Sequence, residues 1–375
     1  MARRVTKYEV THVIEIDITP RWTIRHRGER QFDFVLVTLL QTIKETGRLT
    51  DAAHRAAISY RHAWNLIDKW GSFLGSPLVV MARGRGTQLT LLGERLLWVG
   101  QRVQARLAPQ LESLSSELAR ALNETLVSTA PALRVHASHD YAVAKIRELM
   151  NRDGQARLDV QYRGSIDALA SLCHGGCDLA GFHLAEGPLR AEILDRYAKW
   201  LKPRVHRLIR FVTRTQGFIV APGNPKGIRT VADLARAGVR LINRQRGSGT
   251  RTLLEQLLAH AAVDRARIEG FENEEYTHAA VAALVAGRLA DVGFGVQAAA
   301  EQFGLAFVPV ATERYFLICR QDTLEHPTVR DVLALLGSEA FSELLAALPG
   351  YAPDRPGEVA TIPDLLPWAE FREVS

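Results

Sequence analysis

A glycine-rich loop flanked by arginines is the part of the chain best suited to hold an anion. It follows a predicted strand and reads Arg244, Gln245, Arg246, Gly247, Ser248, Gly249, Thr250 and Arg251. A helix that begins there offers unpaired backbone N–H groups and a positive dipole end. The hydroxyls of Ser248 and Thr250 could donate to an anion, and the arginines could add charge and bidentate hydrogen bonds. The loop therefore predicts an anion site, with plain N-capping by serine and threonine as the alternative.

Two shorter segments place similar side chains at predicted helix starts. Ser138, His139 and Asp140 follow one predicted strand, and Ser165 follows the next. In α/β folds, ligands bind at the carboxyl ends of the strands, beside the N-termini of the helices. We therefore expect these four residues to face the same ligand as the arginine loop.

Other pairs of reactive side chains give weaker signals. Cys173 and Cys177 have C-x3-C spacing around a histidine, but no second pair completes the four ligands that zinc sites need. His139 or His183 beside Asp140 could perform acid–base chemistry, yet no G-x-S-x-G nucleophile motif accompanies them. We predict neither a metal nor a resident cofactor and no catalysis. An enzyme tethered to DNA stays open as an alternative.

A second group of side chains, near the N-terminus, is suited to reading DNA. A short predicted helix at 49–57, a turn and a second helix at 60–73 have the arrangement of a helix-turn-helix. Arginine can bond guanine and asparagine can bond adenine in the major groove. The predicted DNA-facing residues on the second helix and its N-cap are Ser59, Tyr60, Arg61, His62, Asn65 and Lys69. The alternative is an ordinary pair of packed amphipathic helices.

The residues after this helix pair predict a winged hairpin. Short strands at 77–80 and 88–91 flank a basic loop, which would place Arg83, Arg85 and Thr87 on phosphates or in the minor groove. Charge is distributed to match, because residues 1–105 hold 16 Lys and Arg against 9 Asp and Glu. The remaining residues are nearly neutral, with 31 against 32. Only the first third therefore suits a polyanion such as double-stranded DNA.

The elements that position these residues follow from periodicity. An alternating segment at 9–18 predicts a strand, with a partner at 22–26. A long helix carries leucines at 107, 111, 114, 118 and 122, which predict either packing on its own domain or, as we favour, a homodimer or higher oligomer. Beyond residue 131, strands alternate with helices, which predicts an α/β domain.

The predicted fold class is therefore α/β, with two lobes in the C-terminal part, plus an N-terminal winged helix-turn-helix. We assign residues 1–98 to the DNA reader, 99–127 to a linking helix, 131–350 to the effector domain and 351–375 to an irregular tail. Three cysteines give no disulfide framework, and neither a signal peptide nor an apolar run of membrane length is found. A cytoplasmic location without a membrane partner is expected.

Residues 39–97 resemble the DNA-binding domain of ModE-type molybdate-responsive regulators and, more distantly, the LysR family. The residues that carry the resemblance are Gly47-Arg48-Leu49, Ala52-Ala53, Ile58-Ser59-Tyr60-Arg61, Ala63-Trp64, Leu89-Thr90 and Gly93. The resemblance implies that Ser59, Tyr60, Arg61 and Asn65 face DNA and that the wing arginines contact its backbone. It also implies that the strand-like segment before Phe32 supports a dimer.

Residues 133–316 resemble the type 2 periplasmic-binding-protein fold, in which two α/β lobes close on a ligand. The resemblance rests on Ser138-His139-Asp140, Gln216-Gly217, Gly223-Asn224-Pro225, Asn243–Arg251, Thr277–Ala282, which contains His278, and Glu313-Arg314-Tyr315. The glycine loop is also similar to a motif of tungstate-binding proteins, although Arg251 stands where they have histidine. The implied protein is a one-component transcription regulator that senses a small anion. Molybdate or tungstate is the first choice, and another oxyanion or a small organic acid is the alternative.

Overall fold

The computed structural model describes residues 14–26, 28–82, 86–126, 132–152 and 158–369. Backbone contacts divide the chain into two compact units, one of them Thr19–Leu107 with Ala286–Leu289 and the other formed mainly by Ala108–Val285 and Ala290–Ser375. In the described part of the chain, every helix is too short or too polar to cross a membrane.

In its described residues, the N-terminal unit contains three helices and two antiparallel strand pairs, followed by the start of a long helix. Its elements are β1 (Thr23–Arg25), β2 (Glu29–Gln31), α1 (Phe34–Thr46), α2 (Leu49–Arg55), α3 (Tyr60–Leu74), β3 (Val79–Ala82), β4 (Gly86–Leu89) and the start of α4 (Leu91–Leu126). Gly47 ends α1 with φ 69°, a left-handed conformation that glycine adopts without strain. Ser59 caps α3 by accepting a hydrogen bond from the His62 N–H. The pair α2–α3 and the strands β3–β4 therefore lie where the sequence predicts a helix-turn-helix and a wing.

One N-terminal expectation was wrong. The described residues of the segment at 9–18 form no strand, and β1 instead pairs with β2 in an antiparallel hairpin. The backbone of Ile14 is bonded by a side chain, because Asn123 Oδ1 accepts from its N–H at 2.9 Å and Asn123 Nδ2 donates to its carbonyl at 2.8 Å. These bonds satisfy the backbone of Ile14 without a partner strand.

Helix α4 is continuous through Pro109 and has two different faces. On one face, Ser115 and Asn123 are buried and Arg120 forms a salt bridge with Asp159 at 2.8 Å. On the other face, the side chains of Leu114, Leu118 and Leu122 are 44%, 42% and 46% exposed. The helix thus packs on the α/β domain by its polar face and presents a leucine stripe to solvent.

The remaining elements build one α/β domain. They are β5 (Leu133–Ala137), α5 (Tyr141–Arg152), β6 (Leu158–Tyr162), α6 (Ser165–Cys173), β7 (Leu179–Ala185), α7 (Arg190–Asp195), β8 (His206–Val220), β9 (Leu241–Arg244), α8 (Gly249–His260), β10 (Glu274–Glu275), α9 (His278–Ala286), β11 (Val292–Val296), α10 (Gln297–Gln302), β12 (Ala306–Arg320), α11 (Pro327–Leu336), α12 (Glu339–Ala346), β13 (Tyr351–Pro353), β14 (Val359–Thr361) and α13 (Ile362–Leu365). The alternation of strands and helices confirms the predicted fold class.

Two long strands join the halves of the main sheet. The sheet order is β10-β9-β11-β8-β12-β7-β5-β6, in which β5 is parallel to β6 and β7, and β9 is parallel to β10 and β11. Strands β8 and β12 are antiparallel partners of 15 residues each. A strand of that length spans about 50 Å, so the pair serves both parallel groups, which are the two lobes.

The prediction that residues 351–375 form an irregular tail is also wrong for the first half of this segment. Strands β13 and β14 pair antiparallel with the first half of β8, while β11 pairs only with the second half. Without the tail, the first half of β8 would present unpaired backbone groups at a sheet edge. The tail therefore completes the sheet.

Candidate functional site

Two of the predicted helix starts are capped by their own side chains. Asp140 Oδ1 accepts from the Ala142 N–H at 2.8 Å, at the start of α5. Ser248 caps α8 by accepting from the Arg251 N–H at 3.2 Å. The hydroxyl of Ser248 therefore fulfils the capping role that we weighed as the alternative, while the backbone groups of the loop stay close to the site.

Ser165 does not cap α6, because Gly164 occupies the N-cap position. The Ser165 hydroxyl lies instead 3.3 Å from Nδ1 of His183 on β7, and both residues are buried. A methyl group placed on Gly249 would lie 3.5 Å from His183 Nδ1 and 3.6 Å from Ser165 Oγ. The start of α8 thus closely approaches the start of α6, which brings two of the predicted segments together.

A second close approach involves the loop glycine. Gly247 has φ 81°, and a methyl group placed on Gly164 would lie 2.7 Å from its carbonyl oxygen. A side chain at Gly164 would therefore collide with the backbone of the other lobe. Ser138 and His139, on the loop between β5 and α5, are half-buried.

Two of the three predicted anion-binding arginines point elsewhere. The side chain of Arg246 is 76% exposed and pairs with Glu272 at 2.8 Å. Arg251 is buried, but its guanidinium pairs with Glu255 at 3.0 Å and Glu272 at 3.1 Å. Both placements correct the expectation that these arginines bind the anion, because each guanidinium is already paired with glutamate.

Arg244 is the arginine that keeps a donor for a ligand. It is 2% exposed, and it donates to the carbonyl of Tyr276 at 3.0 Å and to Gln245 Oε1 at 3.1 Å. Its Nη1 is buried without a hydrogen-bond partner among the described residues. Burial and the neighbouring Arg214 cation lower the pKa of Arg244 to about 9. The guanidinium therefore stays protonated at neutral pH.

A buried ion network lies beside Arg244. Arg214 on β8 pairs with Asp140 at 2.5 Å and with Glu313 on β12 at 3.0 Å. The Tyr351 hydroxyl donates to Asp140 Oδ2 at 2.7 Å. Burial opposes the charge of Arg214, but Glu313 and Asp140 outweigh it and raise the pKa of Arg214. The network joins α5, β8, β12 and the tail strand β13 around one guanidinium.

Gln216 connects this network to the glycine loop. Its Nε2 donates to Glu313 Oε2 at 2.8 Å and to Thr250 Oγ1 at 3.0 Å. Thr250 lies in the first turn of α8, so the amide links the long strand pair to the helix of the second lobe. The predicted site residue Thr250 is thus part of the site, and its hydroxyl accepts from protein.

Three histidines of the site are neutral at neutral pH. Burial and then Arg244 lower the pKa of His139 to about 4. Burial and the two arginines, Arg214 and Arg244, hold the pKa values of His183 and His278 well below the usual range. A neutral imidazole has one donor and one acceptor nitrogen. Each ring can therefore bind a polar ligand atom, but none is a cation for an anion to pair with.

Reasoning from the sequence missed the residues of the long strands as site members. Arg214, Gln216 and Glu313 are buried polar side chains in strands that are otherwise largely apolar and buried. A charged residue inside such a strand is costly unless paired, and that is the signal that could have located them. Tyr351 gave no such signal, because its partner Asp140 is distant in sequence.

Of the predicted DNA-contacting residues that the structure describes, all but Thr87 are exposed. Ser59, Arg61, His62, Asn65 and Lys69 are exposed, and Tyr60 is 52% exposed. Thr87 is buried, with its hydroxyl 3.3 Å from Met81 Sδ, so its assignment to the DNA surface was wrong. Arg83 and Arg85 lie outside the described residues. Trp64, on the same helix, is also 41% exposed.

Cys173 and Cys177 are free thiols with the contacts of ordinary structural cysteines. Cys173 Sγ donates to the Trp200 carbonyl at 3.1 Å, and burial raises the pKa of Cys177 to about 11. Within the described ranges, no three histidine, cysteine or acidic side chains converge as metal ligands would.

A family model for the PBP superfamily domain matches residues 146–337. The chain belongs to the PBP superfamily. It is 32% identical over 199 residues to the uncharacterized protein YvgK of Bacillus subtilis, covering 53% of this chain and 64% of that protein. The chain therefore spans less than two thirds of this relative's length.

Two further similarities are shorter or lower in sequence identity. The molybdenum transport protein ModE of Azotobacter vinelandii is 33% identical over 86 residues, which cover 22% of this chain and 32% of that protein. A cysteine mutant of Corynebacterium glutamicum OxyR is 18% identical, with a TM-score of 0.40, over 84% of this chain and 94% of that chain.

Proposed function

We propose that the protein is a one-component transcription regulator that binds operator DNA as a dimer and senses a small anion in its PBP domain. The observation that carries the proposal is the buried Arg244, whose Nη1 has no hydrogen-bond partner among the described residues and whose charge interacts with Asp140 and Tyr141 at the start of α5. The exposed polar face of α3, in a helix pair with the order expected of a helix-turn-helix, supports a DNA reader on the same chain. A ligand site and a DNA reader on one chain are what a one-component regulator needs.

The anion would act by preferring one conformation of the protein. Arg244 and Thr250 come from the second lobe, whereas Asp140 and Ser165 come from the first. A ligand held by both lobes stabilises the arrangement in which they are close. It changes DNA affinity only by the difference in its affinity for the two arrangements. We propose that closure alters the dimer and with it the spacing of the two α3 helices.

The leucine stripe of α4 supports the dimer. Leu114, Leu118 and Leu122 lie four residues apart, so they share one face of the helix. Two such stripes from two copies would bury each other, which favours association by the hydrophobic effect. Two-fold DNA sites are commonly read by dimers of this kind.

We propose sensing without catalysis for the PBP domain. Both oxygens of Asp140 are bonded, one by the Ala142 N–H and the other by Arg214 and Tyr351. His139 is neutral near pH 7, with its pKa lowered to about 4 by burial and Arg244. An Asp140 whose oxygens are held by three donors serves to position other groups, which supports binding over turnover.

Molybdate and tungstate are the first ligands to test, because of the resemblance to ModE-type regulators. The test is calorimetry on the full chain with molybdate, tungstate, sulfate, phosphate and small carboxylates. In parallel, DNA selected from a random library by the protein would be retitrated with and without each anion. Binding of at least one anion, together with a change in DNA affinity, is expected. Failure of every anion to bind, or selection of no DNA, would contradict the proposed function.

A further inference from the structure

Four buried polar atoms near the glycine loop have no hydrogen-bond partner among the described residues. They are Arg244 Nη1, Gln216 Oε1, His183 Nε2 and His278 Nδ1, on residues that are each 2% exposed or less. Leaving a buried polar group unpaired is costly, so such atoms in one place indicate a ligand with matching groups.

The residues that carry these four atoms lie close to one another. The first residue of α8, Gly249, approaches His183, and the next, Thr250, accepts from Gln216. His278 is nearby, because a methyl group on Gly295 would lie 2.8 Å from its Nδ1, and the neighbouring residue on β11 pairs in register with Gln216. Arg244 and His183 are both close enough to lower the pKa of His278.

The orientation of the Gln216 amide is determined by its neighbours. A carboxylate that pairs with an arginine only accepts hydrogen bonds, so the amide atom 2.8 Å from Glu313 Oε2 must be the nitrogen. The other amide atom, Oε1, is therefore an acceptor. A ligand that satisfies Oε1 has to bring a hydrogen of its own.

The charged groups that act most strongly on Arg244 balance before any ligand enters. Two arginines, Arg214 and Arg244, stand beside two carboxylates, Asp140 and Glu313, and Arg214 pairs with both carboxylates. The nearby histidines are neutral, because burial lowers their pKa values. A doubly charged ligand would leave two uncompensated negative charges in a buried site, and a singly charged ligand would leave one. Buried uncompensated charge is strongly unfavourable.

We propose that the site selects a singly charged anion that carries its own O–H or N–H donor, with the charge on Arg244 and the donor on Gln216 Oε1. Singly protonated tetrahedral oxyanions and hydroxycarboxylates belong to this class. The inference rests on the proposed function and narrows its ligand. Molybdate, tungstate and sulfate are doubly charged and carry no proton near neutral pH, so the class excludes the ligands first suggested by the sequence.

The test uses matched pairs of anions on the full-length protein. Phosphate at mildly acidic pH is mainly singly charged and protonated, whereas sulfate has the same shape with two charges and no proton. Glycolate and acetate differ by one hydroxyl. Calorimetry should show that phosphate binds at least about tenfold more tightly than sulfate and molybdate, or that glycolate exceeds acetate by this factor.

The outcomes separate the inference from the proposed function. If molybdate or sulfate binds as tightly as phosphate, and acetate as tightly as glycolate, the inference is overturned and anion sensing stands. If none of these anions binds, both are overturned. If only glycolate is preferred over acetate, the ligand is assigned to the organic acids. If only phosphate is preferred over sulfate, the ligand is assigned to the inorganic ions.

A variant tests whether Gln216 Oε1 causes the preference for the donor-bearing anion. Gln216→Met has similar length but lacks Oε1, so the preference for the donor-bearing anion should fall to within about twofold. Arg246→Gln, on the same loop but exposed and outside the site, should keep it. An unchanged preference in a folded Gln216→Met protein would refute the role of this oxygen. If that variant does not fold, the anion pairs on the unaltered protein decide the question alone.

Discussion

At the scale of single residues, the site depends on which arginine keeps a buried N–H group without a partner among the described residues. Arg244 and Arg246 are two positions apart in a loop, yet one is buried with a free donor and the other pairs with Glu272 in solvent. The sequence places both beside a predicted anion site. It cannot distinguish them, because Glu272 comes from a segment whose position depends on the tertiary fold.

We predict that Arg244→Gln weakens anion binding and that Arg246→Gln does not. Hydrogen bonds to charged groups contribute about 1.5–3 kcal/mol, which corresponds to roughly tenfold to hundredfold in affinity. Calorimetry on both variants with the best-binding anion measures the effect. Equal losses in the two variants would show that general charge, and not the buried donor, attracts the ligand.

The buried histidines predict how stability depends on pH. His136, His139 and His206 have pKa values lowered from 6.5 to about 4, chiefly by burial, so the unfolded chain binds more protons between these values. Their contribution is therefore fully present above about pH 6.5 and is lost as the pH falls towards 4. Denaturant titrations at several pH values should show this loss. Constant stability across the range would refute it.

At the scale of elements, the periodic helices follow from the sequence and the short strands do not. Helix α3 begins and ends within one residue of its predicted bounds, because its apolar spacing and the Ser59 cap are local signals. The strands β13 and β14 have three residues each, and their pairing with β8 is the only thing that makes them strands. Pairing across such a sequence distance leaves no local pattern.

For α3, we predict that Arg61→Ala relaxes the sequence preference at one base pair. A bidentate contact to a base contributes about 1–3 kcal/mol of discrimination. Competition binding with single-base variants of the selected DNA site measures this. Lys44→Ala, an exposed cation on α1, is the matched control and should not change the preference. Unchanged specificity in Arg61→Ala would mean that α3 is not the recognition helix.

For α4, we predict that Leu118→Arg prevents the dimer from forming. The leucine is 42% exposed at the centre of the stripe, so an arginine would place a charge in the middle of the proposed interface. Analytical ultracentrifugation should show a monomer. Glu117→Arg changes the neighbouring exposed residue and should leave the dimer intact. If the Leu118→Arg protein remained dimeric, α4 would not form the dimer interface.

At the scale of the whole molecule, the proposed function requires a coupling free energy between the anion and the DNA. The charge asymmetry and the change of periodicity near residue 131 are enough to predict two functional parts from the sequence. Polar residues in otherwise apolar strands could have marked Arg214, Gln216 and Glu313 individually, but not which of them pair, since the strands that carry them meet only in the folded sheet.

We predict that anion and DNA change each other's affinity by the same factor. Linkage requires this reciprocity, and couplings of about 1–3 kcal/mol are typical, or roughly fivefold to 150-fold. DNA affinity measured with saturating anion, and anion affinity measured with saturating DNA, should therefore agree. Tight binding of both ligands with no mutual effect would exclude a regulatory link between the two sites.

The C-terminal strands have a consequence for the order in which the protein is made. Tyr351 supplies one of the donors to Asp140, and β13 and β14 cover the edge of β8, although all three lie close to the end of the chain. A nascent chain would have α2 and α3 synthesised long before the strands that complete the α/β domain. During translation, the proposed DNA reader would therefore be present for a time before the domain proposed to control it is complete.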